Sequence, residues 1–307
     1  MPLAVIDIGS NTIKILIAEG LPLRVLAEAT EEVRLSPRND EPQGEISPRA
    51  QEAGIAAIGR LLDLVRKHKV EHVRMVATSM LRDAKNSAAF RAELLMKTGY
   101  GLEILSGEDE ARSIAAGVAT DPELSGMNAF RIIDLGGGSM EYISSGAGDV
   151  KTACSWPLGA VRLTRQFFSN PAVPIPDIEL TALDIHVRKT IGETMGIMKM
   201  PFVGCGGAFS VARAVEAAST GVTFEKSSPR LAVSSLLSLR NRLIGMTLDE
   251  RASIPALPAG RADILPAALT VLLAVADITE TIEFIHSRRN LRYGVAMAMM
   301  SGKGSQG

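Results

Sequence analysis

The feature that most limits how this chain can fold is a pattern that occurs twice. An apolar run ends in aspartate, a turn of small residues follows, and a second run of β-branched and aliphatic residues closes the unit. Near the start it reads Leu3 to Ile6, DIGSN, then Thr12 to Ala18; in the middle it reads RIIDLGGGSMEYIS. Strand, tight turn, strand is the natural reading of each. An acid ends the first strand in both, Asp7 and Asp134, and small residues come next, Gly9-Ser10 and Gly136 to Ser139. The repetition predicts two architecturally related halves facing each other across a cleft.

Strands and helices alternate around both hairpins, which predicts an α/β fold in two lobes. The polar loop SPRNDEPQGEIS ends in a helix-start signal, Ser47-Pro48. Ser106 with Asp109 offers a cap for a helix reaching about Ala119. Pro201 to Cys205 reads as a buried strand feeding CGGAFSVARAV, a third strand and Gly-rich turn, this time opening a helix. Helices are expected over Arg230 to Gly245, Leu248 to Ala252, Ala262 to about Thr281, and Tyr293 to Met300, before a flexible tail, GKGSQG. The domains are drawn at residues 1–125 and 126–307, with a last helix at about 292–302 packing back on the first.

Thirty-three Lys and Arg against 34 Asp and Glu leave a formal charge of −1. A polyanionic partner must therefore be drawn by a local basic patch, and non-specific nucleic-acid binding is disfavoured. Two cysteines, Cys154 and Cys205, argue against a disulfide framework and fit a reducing compartment. MPLAVIDIGSN reaches an acid without a basic leader, so it does not read as a signal peptide. Ile264 to Ala276 is apolar but too short to span a bilayer, and Asp277 closes it, so a buried helix is expected there. A cytoplasmic protein without membrane contact follows. The apolar segments Leu231 to Leu239 and Ile264 to Ala276 are candidates for a homodimer contact, and core packing explains them equally well.

Three Gly-rich turns after strands, at Asp7, Asp134 and Gly204, point to phosphate. Glycine lets the main chain approach an anion, and successive N–H dipoles can converge on it. Asp134 and Glu141 bracket the second turn, and two carboxylates suit Mg²⁺, which keeps waters and phosphate oxygens as its other ligands. The four histidines have no metal-ligand spacing. Glu108, Asp109 and Glu110 open a helix; acids there complement the helix dipole, or one of them serves as general base for an attacking water. Arg82 and Lys14 are the cationic candidates near the turns. Lys14 turns either to the cleft or to water, according to the two-residue period of its strand.

In this order across nearly the whole chain stand DIGSNTIK, ATSMLRDAKN, ILSGEDEARSIAAGV, IIDLGGGSMEYI, and RADILPAALTVLL followed by LRYGVAM. Together they resemble the exopolyphosphatase/guanosine pentaphosphate phosphatase (Ppx/GppA) family, a branch of the sugar kinase, actin and heat-shock chaperone superfamily. The resemblance implies two ribonuclease-H-like lobes of the actin and sugar kinase type, with substrate in the cleft. It makes Asp7, Gly9, Ser10 and Asn11 the first phosphate loop. Asp134 to Glu141, including Gly136, Gly137, Gly138 and Ser139, is the second, and Gly204, Gly206 and Gly207 stand at the third. Glu110, directly before Ala-Arg, takes the place of the family's base, and Arg82 looks toward the phosphate chain. The implied activity is Mg²⁺-dependent removal of terminal phosphate from inorganic polyphosphate, or from guanosine pentaphosphate at the same site. A non-catalytic regulator that binds a phosphorylated nucleotide is the reading of another class. The third loop reads GCGGAFS where Gly-Thr-Ser-Gly-Thr is usual, and Asn290 stands where glycine is common before LRYG. The chain ends after the second lobe, as expected of a short, two-lobed form.

Overall fold

A computed structural model describes residues 1–37, 44–146, 149–197 and 199–302. Part of the SPRNDEPQGEIS loop and most of the GKGSQG tail lie outside the described residues. The chain divides into two compact units, Met1–Pro122 with Arg289–Gly307, and Glu123–Arg288.

In the first unit, β1 (Leu3–Ile8) and β2 (Thr12–Glu19) form the opening hairpin, and β3 (Arg24–Glu32) pairs antiparallel with β2. Helix α1 (Pro48–Lys67) crosses to β4 (His72–Ala77), which lies parallel to β1. After α2 (Ser79–Asp83) and α3 (Ser87–Thr98), β5 (Leu102–Ile104) extends the sheet and α4 (Gly107–Val118) follows. The order is β3-β2-β1-β4-β5. Local chemistry sets these helices. Ser47 accepts a hydrogen bond from the Ala50 amide and Pro48 fills the first turn, where a missing N–H costs nothing. Ile55, Ile58, Leu62 and Val65 then make the apolar stripe that α1 buries on the sheet. The Ser106 hydroxyl accepts from the Asp109 amide at 3.1 Å to start α4.

The second unit repeats the plan. Strands β6 (Ala129–Leu135), β7 (Met140–Gly146) and β8 (Asp149–Trp156) run antiparallel in sequence. Helices α5 (Ala160–Phe167) and α6 (Asp177–Ile191) lead to β9 (Phe202–Gly206), parallel to β6. Then come α7 (Gly207–Ser219), β10 (Arg230–Ala232), α8 (Val233–Ile244), α9 (Leu248–Ala252), α10 (Leu265–Ile278) and β11 (Glu283–His286). The order β8-β7-β6-β9-β11 matches that of the first sheet, with β10 added at the β11 edge. Strand β8 is absent from the sequence-based expectation, and Arg230 to Gly245 is not one helix: its first three residues pair with β11 as β10. Helix α10 starts at Leu265 rather than Ala262, with a proline in its first turn. It is buried on nearly every side, so its apolar run is core. Among the described residues no helix is long and apolar enough to cross a membrane.

The last helix, α11 (Leu291–Met300), belongs to the first unit and packs on α4 and β1. Glycines permit the approach: a Cβ on Gly117 would lie 2.0 Å from the Asn290 carbonyl oxygen, and one on Gly294 would lie 1.8 Å from that of Ser113. Neither distance is sterically allowed, so backbone meets backbone where α4 and α11 cross.

Candidate active site

The two hairpins share their bonding, position by position. Asp7 faces Lys14 across β1 and β2, and Asp134 faces Glu141 across β6 and β7. The Gly9 amide donates to the Thr12 carbonyl at 3.1 Å, and the Gly136 amide to the Ser139 carbonyl at 3.0 Å. In the first loop the Ser10 carbonyl accepts from the amides of Leu35 and Ser36; in the second, the Gly137 carbonyl accepts from those of Val161 and Arg162. The Gly136 carbonyl also accepts from the Ala160 amide, and the Gly138 carbonyl from Arg162 Nε at 2.8 Å.

A trans peptide points its N–H opposite to its C=O. Because the carbonyls of Gly136, Gly137 and Gly138 are turned onto α5 and its Arg162, the N–H groups of Gly137, Gly138 and Ser139 are aimed away from that helix. The Asn11 N–H is aimed likewise by the bonds to Ser10. Successive amides pointing to one side form an anion-binding concavity. Gly159 makes the second arrangement possible, since a Cβ there would lie 2.3–2.4 Å from the backbone of Gly137 and Gly138. Sequence reading overlooks Gly159; its position just before an amphipathic helix was the available signal.

The third turn is narrower than the sequence suggests. Gly206 has φ of +96°, open to glycine at little cost, and a Cβ there would press on the Leu135 carbonyl oxygen at 2.5 Å and on Asp134 Oδ1 at 2.8 Å. Gly207 opens α7, and the Arg261 guanidinium lies where its Cβ would be. Gly206 and Gly207 therefore sit beside Asp134 and a cation. Gly204 does not join them: it is buried in β9, its carbonyl accepts from the Ser287 amide, and its missing Cβ leaves room for the Phe209 ring. Its assignment to the phosphate turn is corrected to a packing role. Arg261, in the RADILPAALTVLL segment, is not singled out by sequence pattern, because its closeness to Gly207 is a long-range contact.

The acidic cluster on α4 separates by direction. Glu108 pairs with Arg112 in solvent, and Asp109 bonds Ser106 at the cap. Glu110 is turned inward, 5% exposed, with Oε2 3.3 Å from Arg82 Nη1. Arg82 Nη1 also donates to the Leu105 carbonyl at 2.5 Å, which anchors the guanidinium beside the carboxylate. Two groups far apart in sequence are thus adjacent in the first unit.

Asp7 lies in protein surroundings that push its carboxyl above the ordinary value of 3.8, burial being the largest cause, with Lys14 and Arg292 opposing it. Lys14 is thereby placed on the Asp7 side of the strand rather than in open water. Arg292, from α11, is nearly buried, donates to the Ile15 carbonyl at 2.9 Å and pairs with Glu28 at 3.3 Å. It is a second cation of this loop that sequence reading misses, since it arrives from the far end of the chain. Asp134 and Glu141 are both buried, at 8% and 2%, and Glu141 Oε1 accepts from Ser155 Oγ at 2.8 Å. Like charges directly opposite on a sheet are destabilising, and two buried carboxylates of this kind fit a hard divalent cation that completes its shell with water. Among the described residues no group of three or more His, Cys, Asp or Glu could hold a metal, so a cage made wholly of such side chains is not the form of the site.

Known proteins share this fold. Over 98% of both chains the fold matches an exopolyphosphatase of Cytophaga hutchinsonii, with a TM-score of 0.88 at 21% identity. It also matches the Ppx/GppA family member of Aquifex aeolicus over 100% of this chain and 99% of that one, with a TM-score of 0.81 at 25% identity. Exopolyphosphatase 2 of Mycobacterium tuberculosis is 29% identical over 277 residues, 85% of this chain and 86% of the relative. The guanosine-5′-triphosphate,3′-diphosphate pyrophosphatase of Vibrio vulnificus is 25% identical over 97% of this chain, which spans 59% of that relative's length. The model of the Ppx/GppA phosphatase family matches residues 15–303, and the chain belongs to that family.

Proposed function

We propose that this protein hydrolyses the terminal phosphoanhydride bond of inorganic polyphosphate. The observation that carries the reading is the shared construction of the two hairpin turns: the Ser10 carbonyl in the first, and those of Gly136, Gly137 and Gly138 in the second, are tied back, which aims the amides that follow them outward. Each turn would cradle phosphate oxygens within its own unit. Asn11, Gly137, Gly138 and Ser139 would hold phosphate oxygens through backbone N–H, with Lys14 and Arg82 supplying charge. Gly206, Gly207 and Arg261 would extend the grip on the second unit.

Glu110 would accept a proton from water as its oxygen attacks the terminal phosphorus. The bond to the bridging oxygen breaks, and orthophosphate leaves with a chain shorter by one unit. Such transfer needs mainly positioning and charge stabilisation, which fixed amides, guanidinium groups and one base can give. Asp134 and Glu141 would hold Mg²⁺. When bound, the ion neutralises charge on phosphate oxygens.

Hydrolysis of guanosine pentaphosphate is the second reading, supported by the Vibrio relative that matches 97% of this chain. The Mycobacterium exopolyphosphatase, more identical and closer in length, supports polyphosphate as the first. A cytoplasmic location fits Cys154 and Cys205, which are not disulfide-bonded. Phosphate release should be measured side by side from long polyphosphate, short polyphosphate and guanosine pentaphosphate, with and without Mg²⁺. The reading expects Mg²⁺-dependent release, fastest from polyphosphate; no release from any of the three would reject it.

A further inference from the structure

Gly206 is the pliable link of the third turn. It joins β9 to α7 at φ of +96°, beside Asp134, and α7 begins without a side-chain cap. Ser, Thr, Asp and Asn fix a helix start through a side-chain oxygen that glycine lacks. Glycine also has the widest choice of backbone conformations, so a turn that grips an anion through it needs holding from elsewhere. Two groups outside the proposed chemistry do this, Ser210 of α7 and His286 of β11. Ser210 Oγ donates to the Gly206 carbonyl at 3.1 Å, and His286 Nε2 lies 3.1 Å from the same oxygen. A serine hydroxyl has one proton to give. With that proton on the carbonyl, Ser210 accepts from His286, and a relay runs from Nε2–H through the hydroxyl to the turn.

The far end of the relay is firmly seated. His286 is 2% exposed, stands opposite Gly204 in the sheet, and donates its amide to the Pro229 carbonyl at 2.7 Å. Its ring meets that of Phe224 at 6.2 Å, and Phe224 lies under the Arg213 guanidinium, which also bonds the Phe224 and Ser227 carbonyls. Its strand neighbours Phe284 and Ile285 are apolar and buried. Burying an imidazole among them costs free energy unless its polar atoms are used, and the bond to Ser210 is such a use. A trans peptide points its N–H opposite to its C=O, so fixing the Gly206 carbonyl also fixes the Gly207 N–H.

We infer, resting on the hydrolase reading, that Ser210 and His286 are positioning residues: they hold the Gly206–Gly207 peptide so that the Gly207 amide meets an oxygen of the phosphate chain. Neither side chain touches the reacting atoms. The oxygen held by Gly207 is charged before the anhydride bond breaks as well as while it breaks. Binding of that kind is uniform between ground and transition states, and its loss falls on KM rather than on kcat.

Steady-state kinetics with the substrate that the wild type turns over fastest, together with titration of inorganic tripolyphosphate into the same proteins, tests this. Ser210→Ala and His286→Leu should each raise KM and the tripolyphosphate Kd about 10-fold, the worth of one hydrogen bond, with kcat within about 2-fold of the wild type. Ser210→Thr keeps the hydroxyl and His286→Gln keeps an N–H donor, so both should stay within about 3-fold of the wild-type KM. The double variant Ser210→Ala, His286→Leu should be no worse than either single one, because each breaks the same relay. An unchanged KM and Kd in Ser210→Ala, losses that add in the double variant, or conservative variants as impaired as the truncations would each overturn the assignment. A wild type that binds tripolyphosphate with these differences but releases no phosphate would sink the hydrolase reading and leave the positioning role standing.

Discussion

Asp134 stands opposite Glu141 at the place where, in the first unit, Asp7 stands opposite Lys14. One backbone plan therefore carries two electrical states. The first hairpin holds its acid against an ammonium group, and the second holds two carboxylates together, nearly out of water. Repulsion across a strand pair lowers stability, and a bound cation would relieve it.

Mg²⁺ should accordingly raise the melting temperature of the wild type, by roughly 2–4 °C for each kcal/mol of binding linkage. Glu141→Gln should melt at or above the wild type without the ion, and should lose most of the Mg²⁺ response. A thermal scan with and without Mg²⁺ checks both; an equal response in wild type and variant would remove Glu141 from the ion's ligands.

Asp7 makes a prediction in pH. Its folded carboxyl is shifted above the ordinary value of 3.8, chiefly by burial. A carboxyl raised on folding contributes stability below its unfolded pKa and loses that contribution as pH rises through the folded one. At neutral pH ionised Asp7 thus weakens the fold, so Asp7→Asn should melt higher than wild type at pH 7. The difference should close as the pH falls into the carboxylate range. A variant less stable than wild type at pH 7 would show that Lys14 and Arg292 outweigh the burial.

Gly159 tests the second turn without touching a charged group. Gly159→Ala must displace Gly137 and Gly138, because its Cβ would meet their backbone at 2.3–2.4 Å. Misplacing positioning groups by about an ångström can cost ~10²-fold in rate, so turnover should fall by that order. Gly101→Ala, where an added Cβ meets nothing within 4 Å, is the control. Equal turnover in both would mean the turn is not used.

Much of this was legible in the sequence where local chemistry decides. The twin hairpins follow from an acid, small turn residues and a second apolar run, and the starts of α1 and α4 from Ser47 and Ser106, whose side chains bond the first turns. Strand β8 was not legible: it is an edge strand with a largely solvated face, and VKTACSW has no apolar run to mark it. Gly204 was misread because a run of glycines looks alike whether it turns the chain or makes room for a ring. Arg261, Arg292 and Gly159 owe their places to contacts between distant segments. No spacing rule reaches those.

The claim on which the proposed chemistry rests is that the inward carboxylate of Glu110 receives the proton of the attacking water. Its most direct test is the steady-state rate of phosphate release by Glu110→Gln, with Mg²⁺ and the substrate that the wild type turns over fastest. Turnover should drop by at least ~10²-fold while the melting temperature stays close to that of the wild type. Near-normal turnover by the variant would contradict the account.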